Sequence, residues 1–195
     1  MGFFDISGDT IKQADAAANF LLVIPPNAKV AGTTASWTEH GHVVETNSEQ
    51  SQSDVAGTKM DILILNVFVE IDGDERGSGM NAGNKFKTNM RLNQKSLGSR
   101  AEKGSPVGKQ KTMTNLSIHK MKAILRGCGI EPDSEDGGYS QTLLSECFPA
   151  VDSFTGVPSP MIGAAIHFEV RKTESPSKKD NRMFTNYEIV QVFDQ

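Results

Sequence analysis

Neutralising phosphate charge is the chemistry that the residue types of this chain suit best. Between Lys85 and Arg126, eleven of the twenty basic residues sit beside a single acid, Glu102. The flanks are acidic, with four basic against twelve acidic side chains before Lys85 and five against eleven after Arg126, so a chain of net charge −4 carries a segment of +10. A local field of that kind implies an anionic partner, a nucleic-acid backbone above all. The alternative is a solvated basic loop, which a block of like charge disfavours because it repels itself. A second basic cluster, Arg171, Lys172, Lys178, Lys179 and Arg182, is diluted by Glu174 and Asp180.

Bond-making chemistry has thinner support. His40 and His42 flank Gly41 on one strand face, and His119 and His167 are available, but no Cys or carboxylate spacing completes a zinc site. Surface histidines are the simpler account. Asp72, Asp74 and Glu75 gather as they do in a metal-dependent nuclease, and an acidic hairpin turn explains them more simply. Neither GSGMNAG nor GSPVGK has phosphate-loop spacing ahead of a helix. Cys128 and Cys147 are too few for a disulfide framework and fit a reducing compartment. No catalytic group, metal or cofactor is therefore expected.

The cations need a scaffold, and the clearest strand precedes them. From Met60 to Ile71, Leu63, Leu65, Val67, Val69 and Ile71 fall on one face at period two, while Ile62 and Ile64 give way to Asn66, Phe68 and Glu70 on the other. After a turn-rich connector, Phe86, Thr88, Met90 and Leu92 alternate with Lys85, Lys87, Asn89, Arg91 and Asn93. A strand there puts every basic group on one face. Residues 94–113 add five cations among Gly, Ser and Pro, the composition of a flexible basic loop. Ile118, Met121, Ile124, Leu125 and Cys128 then recur at helical spacing, with Thr114 or Asn115 as cap and Gly127 or Gly129 as stop. His119, Lys120, Lys122 and Arg126 take the outer side of that helix, as contributors to stability.

Elsewhere, residues 10–20 predict a short helix capped by Asp9 or Thr10, ended by Pro25 and Pro26. Lys29 to Glu45 predict one or two strands with a break near Gly41, and residues 46–58 a polar, mobile loop. An acidic loop at 131–138 leads to a short helix capped by Ser140. Ile162, Ala164, Ile166, Phe168 and Val170 alternate as a strand, residues 171–182 turn the chain and bring the second basic cluster to one tip, and residues 183–193 return with Tyr187.

The fold class expected is mainly β with one or two short helices, an OB-like five-stranded barrel with long loops and its helix between the third and fourth strands. Residues 1–26 form an N-terminal segment and 27–195 the OB-like domain. A chain of 195 residues, 37% hydrophobic and with 18 glycines, suits one domain with long loops, or one domain and a small appendage, with a real core.

The order of MDILILNVFVEIDG, KFKTNMRLNQ, NLSIHKMKAILRGCGI, LLSECF and the hairpin from GAAIHFEVRKTE to NYEIVQVFDQ resembles the OB-fold single-stranded DNA-binding proteins of bacteriophages, over residues 27–195. That resemblance implies binding without strong sequence preference in DNA replication, recombination or repair, with proteins of those processes as partners. The ending VQVFDQ departs from the bacterial pattern of a long acidic tail, which puts recruitment of enzymes through such a tail in doubt.

On this reading Lys85, Lys87, Arg91 and Lys95 track phosphates, and Arg100, Lys103, Lys109 and Lys111 close from the loop. Arg171, Lys172 and Arg182 add to the interface, and Trp37 and Tyr187 stack on bases; Phe68, Phe168 and Phe184 lie in strands, where aromatics are more often core than base platforms, and Phe86 belongs by parity to the apolar set. The alternative class is a β-rich virion component or host-interaction protein, with a metal-dependent nuclease third. Homo-oligomerisation is left open. No run approaches the roughly 18 apolar residues of a membrane span, and MGFFDISGDT lacks the features of a signal peptide or myristoylation site, so the cytoplasm (of the host cell, if viral) is expected.

Overall fold

A computed structural model describes residues 6–21, 33–55, 58–73, 82–93, 106–151, 156–177 and 182–193. The elements run α1 (Gly8–Leu21), β1 (Thr33–Val55), β2 (Thr58–Ile71), β3 (Lys85–Asn93), α2 (Pro106–Gly127), α3 (Gln141–Cys147), β4 (Ala165–Pro176) and β5 (Met183–Phe193). All strand pairs are antiparallel and form one sheet in the order β3-β2-β1-β4-β5. The mainly-β class and the helix between the third and fourth strands hold, and the fold is OB-like. The closed barrel does not: β3 and β5 are the two edges of an open sheet. Helix α2 packs against both of those edges, and the rings of Phe86 on β3 and Tyr187 on β5 approach to 5.5 Å. Among the described residues there are three helices, where one or two short ones were expected.

β1 is the strand that holds the sheet together. Thr33 to His42 pair with β4, and Gly41 to Val55 pair with β2. Gly41 belongs to both ladders, opposite Ile71 and Ile166. A Cβ at that position would lie 2.4 Å from the Glu70 carbonyl oxygen, so only glycine fits the approach. Just beyond it, a bulge between Val43 and Glu45 inserts one residue and reverses which parity faces inward. Glu39, Gly41 and Val43 are buried before it, Thr46 and Ser48 after it.

That reversal explains why residues 46–55 form strand rather than the expected loop. The inward positions are polar, but the Thr46 hydroxyl donates to the Cys147 carbonyl and the Ser48 hydroxyl to the Phe148 carbonyl. A buried hydroxyl that is hydrogen-bonded no longer opposes folding. Likewise β1 shows no break at Gly41, and β4 begins at Ala165 rather than Ile162, which is an exposed turn residue.

The core lies on the inner face of the sheet beneath α1 and α2. Leu63, Leu65, Val67, Val69 and Ile71 of β2, Phe86, Met90 and Leu92 of β3, and Ile166, Phe168 and Val170 of β4 meet Ile118, Met121, Ile124 and Leu125 of α2. Each such side chain contributes about 1.5–3 kcal/mol on burial. Helix α2 starts at Pro106, eight residues before the expected cap, because proline's fixed φ and missing N–H are compatible with a first helical turn. Residues 109 and 111 are therefore helical, not loop. The helix stops as expected: Gly129 adopts φ +76°, its N–H donates to the Arg126 carbonyl, and the Ile130 N–H donates to the Leu125 carbonyl. Ser140 caps α3 by accepting from the Leu143 N–H.

α1 joins this core. Ser7 rather than Asp9 or Thr10 caps it, its hydroxyl accepting from the Thr10 N–H. Ile6 bridges to Tyr139, and Ile6, Ile11 and Ala14 are buried. The boundary drawn at residue 26 falls outside the described residues.

Replacing Gly41 by alanine is expected to cost about 1–3 kcal/mol, the usual penalty of overpacking. Urea unfolding should show a lower midpoint with an unchanged slope; an unshifted midpoint would contradict the close approach.

Candidate nucleic-acid interface

β3 sorts its side chains as the alternation predicts. Phe86, Thr88, Met90 and Leu92 are buried, while Lys85, Lys87, Asn89 and Arg91 are exposed on the outer face. Alternate residues on a strand repeat at about 6.6–6.8 Å, comparable to the spacing of phosphates along an extended single strand. Opposite them, the outer face of β2 sets Glu70 against Lys85, Phe68 against Lys87, Asn66 against Asn89 and Ile64 against Arg91.

Each cation is held differently. The Lys85 ammonium lies 3.6 Å from the Glu70 carboxylate, a solvent-exposed pair that a competing phosphate can displace at little cost. Lys87 sits over the Phe68 ring at 5.3 Å, worth about 0.5–1 kcal/mol at an exposed site. The Arg91 backbone N–H donates to the Ser117 hydroxyl of α2, which pins this edge of the sheet to the helix. Asn66 bridges to Asn47 and Glu49 through its amide nitrogen, locking the neighbouring strands.

Phe68 is a site residue that the sequence places on the outer face of β2 but does not single out among the strand aromatics. It is only partly buried, and the signal was its parity: it shares a face with Glu70 and Asn66, not with Val67 and Val69.

The remaining expected residues divide by location. Lys95, Arg100 and Lys103 lie outside the described residues, and Lys109 and Lys111 fall in the first half of α2. Trp37 and Tyr187 are not beside the β3 cations. Both continue the inward phase of Val170 and Ile189, and their rings meet edge to face at 6.3 Å, next to Phe86. The Trp37 indole N–H donates to the buried Glu39 carboxylate at 2.8 Å, and Tyr187 is 42% exposed. Of the second basic cluster, Lys178 and Lys179 lie outside the described residues. Arg171 and Lys172 lie inside the ladder opposite Glu188 and Tyr187 rather than at a hairpin tip, because β4 runs on to Pro176. Lys172 is 2.8 Å from Glu174, whose hydrogen bond raises its pKa, and Arg182 is exposed immediately before β5.

The cations of α2 have structural duties that its sequence did not reveal. Lys122 and His119 both bind the Asp15 carboxylate of α1, His119 through Nδ1 at 2.7 Å. Burial would push Asp15 up, but the hydrogen bonds and charges of Lys122 and His119 hold its carboxyl below the usual range. Lys120 lies 3.5 Å from Glu188 of β5; burial pulls its pKa down, opposed by that carboxylate and assisted by Arg171.

Of the groups considered for bond-making chemistry, Asp74 and Glu75 lie outside the described residues. His40 stacks on His167 with ring centroids 4.2 Å apart, and His42 pairs with Asp72 at 2.7 Å. Burial and then His40 lower the pKa of His167. Among the described residues no group of three His, Cys, Asp or Glu side chains could hold a metal ion. Burial pushes both thiols, Cys128 and Cys147, up to about 12, which favours the protonated form at neutral pH. No helix among the described residues is long and apolar enough to cross a membrane.

No protein-family model, curated protein or solved structure matches this chain. The functional reading therefore rests on the residues and their arrangement.

The Asp15 clamp carries a pH signature. A carboxyl whose folded pKa is depressed adds stability above its unfolded value of about 3.9, and loses it as the pH falls through the folded value. Acidification from neutral pH to about 2–3 should therefore cost the parent chain more stability than Asp15→Asn, by a difference on the order of 1 kcal/mol. Equal losses in urea unfolding would show that the clamp contributes nothing.

Proposed function

We propose that this protein is a non-catalytic, largely sequence-independent single-stranded DNA-binding protein, acting in DNA replication, recombination or repair. The observation that carries the reading is the outer face of β3, where Lys85, Lys87 and Arg91 are presented in a row beside the partly exposed ring of Phe68. In OB folds the face of the second and third strands, with its adjoining loops, receives single strands. Affinity there combines backbone neutralisation with base stacking worth about 1–3 kcal/mol per base.

In this reading Lys85, Lys87 and Arg91 neutralise phosphates and Phe68 receives a base. Lys95, Arg100, Lys103, Lys109 and Lys111, which follow β3 in the sequence, would add further phosphate contacts. Trp37 and Tyr187 contribute at the seam between β3 and β5 rather than on the β3 face. The cytoplasm, that of a host cell if the protein is viral, is the compartment in which it would meet its substrate and its replication or recombination partners.

Fluorescence anisotropy with a labelled oligothymidylate, repeated across salt concentrations, tests the assignment. Lys85→Glu, Lys87→Glu and Arg91→Glu together should weaken binding and reduce the salt slope by about 0.7 for each phosphate no longer neutralised. Phe68→Ala should weaken binding while leaving that slope unchanged. Unaltered affinity and slope in the triple variant would contradict the reading and favour a β-rich virion or host-interaction protein.

A further inference from the structure

A groove of about 670 Å³ runs between α2 and the β4–β5 end of the sheet. Its rim is cationic in an acidic protein: α2 supplies Lys120, Lys122 and Arg126, and β4 supplies Arg171, against Glu169 and Glu188. The partners of these groups show which charges remain available. Lys122 is committed to Asp15, Lys120 faces Glu188, and Glu169 accepts from the Ser36 hydroxyl. Arg126 and Arg171 form no ion pair among the described residues. Lys120 and Arg171 are close enough to repel, and one carboxylate, Glu188, lies in salt-bridge reach of that ammonium. Like charges gathered in a partly desolvated groove are costly, and an anion between them relieves the cost.

The groove also has an apolar floor. Leu116 and Ala123 are half-buried along α2, above the buried Ile189 and Val192 of β5. A cationic rim over an apolar floor matches the two halves of a nucleotide, a phosphate and a base or sugar. Guanidinium groups suit the rim, because their donor fork engages phosphate oxygens in pairs.

We propose that this groove is a second subsite for the single strand, with phosphates held by Arg126 and Arg171 and a base or sugar resting on Leu116 and Ala123. The inference rests on the function proposed above and extends it to a separate surface. Helix α2 divides the two surfaces: Ser117 holds β3 at Arg91 on one flank, and Lys120 meets Glu188 of β5 on the other. A strand leaving Arg91 reaches the groove by crossing one helix, about 10–12 Å wide. The bound length then exceeds what β3 covers alone.

Two oligothymidylates distinguish the subsites, one of about 4 and one of about 16 nucleotides, the ends of the range for a single OB fold. Arg126→Glu with Arg171→Glu should weaken binding of the long oligonucleotide at least tenfold and reduce its salt slope by about 0.7 for each of the two phosphates. The short one should bind as before. Arg126→Gln with Arg171→Gln should give a smaller loss in the same direction, and an unchanged urea midpoint excludes unfolding as the cause. Unchanged affinity of the double variants for the long oligonucleotide, while the β3 triple variant loses affinity, overturns the groove and leaves the proposed function standing. Failure of the parent chain to bind either oligonucleotide overturns both.

Discussion

The alternation of side chains along β3 is the constraint on which the rest depends. A strand presents successive side chains to opposite faces, so burying Phe86, Thr88, Met90 and Leu92 forces Lys85, Lys87, Asn89 and Arg91 into solvent. The hydrophobic core thereby fixes the position of the charges. No network of salt bridges is needed to arrange them: Lys85 makes an exposed ion pair with Glu70, and Lys87 rests over the Phe68 ring. Loosely held surface cations suit a ligand that must be gripped along its backbone and released.

The open sheet makes that display possible without leaving raw edges. β3 and β5 do not pair with each other, and α2 lies against both. Its Ser117 engages the Arg91 N–H, its Lys120 meets Glu188, and Gly127 lies so near β5 that an added Cβ would stand 2.6 Å from Val192 Cγ1. α1 in turn is tied to α2 by Asp15. The covering helix leaves a groove on its β5 side, so the device that protects the sheet edge also creates a second cationic surface. Edge strands are commonly protected by such covering elements.

The sequence made much of this legible where period-two or helical spacing was strong. β2 and β3, the apolar stripe of α2, the Ser140 cap and the stop at Gly129 all follow from local patterns. The N-terminal part of β1 was readable, whereas residues 46–55 were not, because Thr46 and Ser48 are buried through bonds to carbonyls a hundred residues away. The bulge after Val43 also changes the phase within one strand, which a fixed period cannot express. The first two turns of α2 were hidden by Pro106 and Gly108 and by the Gly-Ser pair just before them. The site was half legible: the basic face of β3 and the outward parity of Phe68 were, while the Asp15 clamp and the α2 groove depend on pairings between elements. Trp37 and Tyr187 meet edge to face across β1, β4 and β5, a contact that no local pattern shows, and Tyr187 stays exposed.

The most direct test of the central claim is the amide spectrum of the isotopically labelled protein titrated with an unlabelled oligothymidylate. The account predicts that the largest shift changes fall in Lys85 to Arg91 and in the facing residues Ile64 to Glu70. On the same outer face but farther across the sheet, His40 of β1 and His167 of β4 should shift least. Changes centred on His40 and His167 with β3 silent would contradict it.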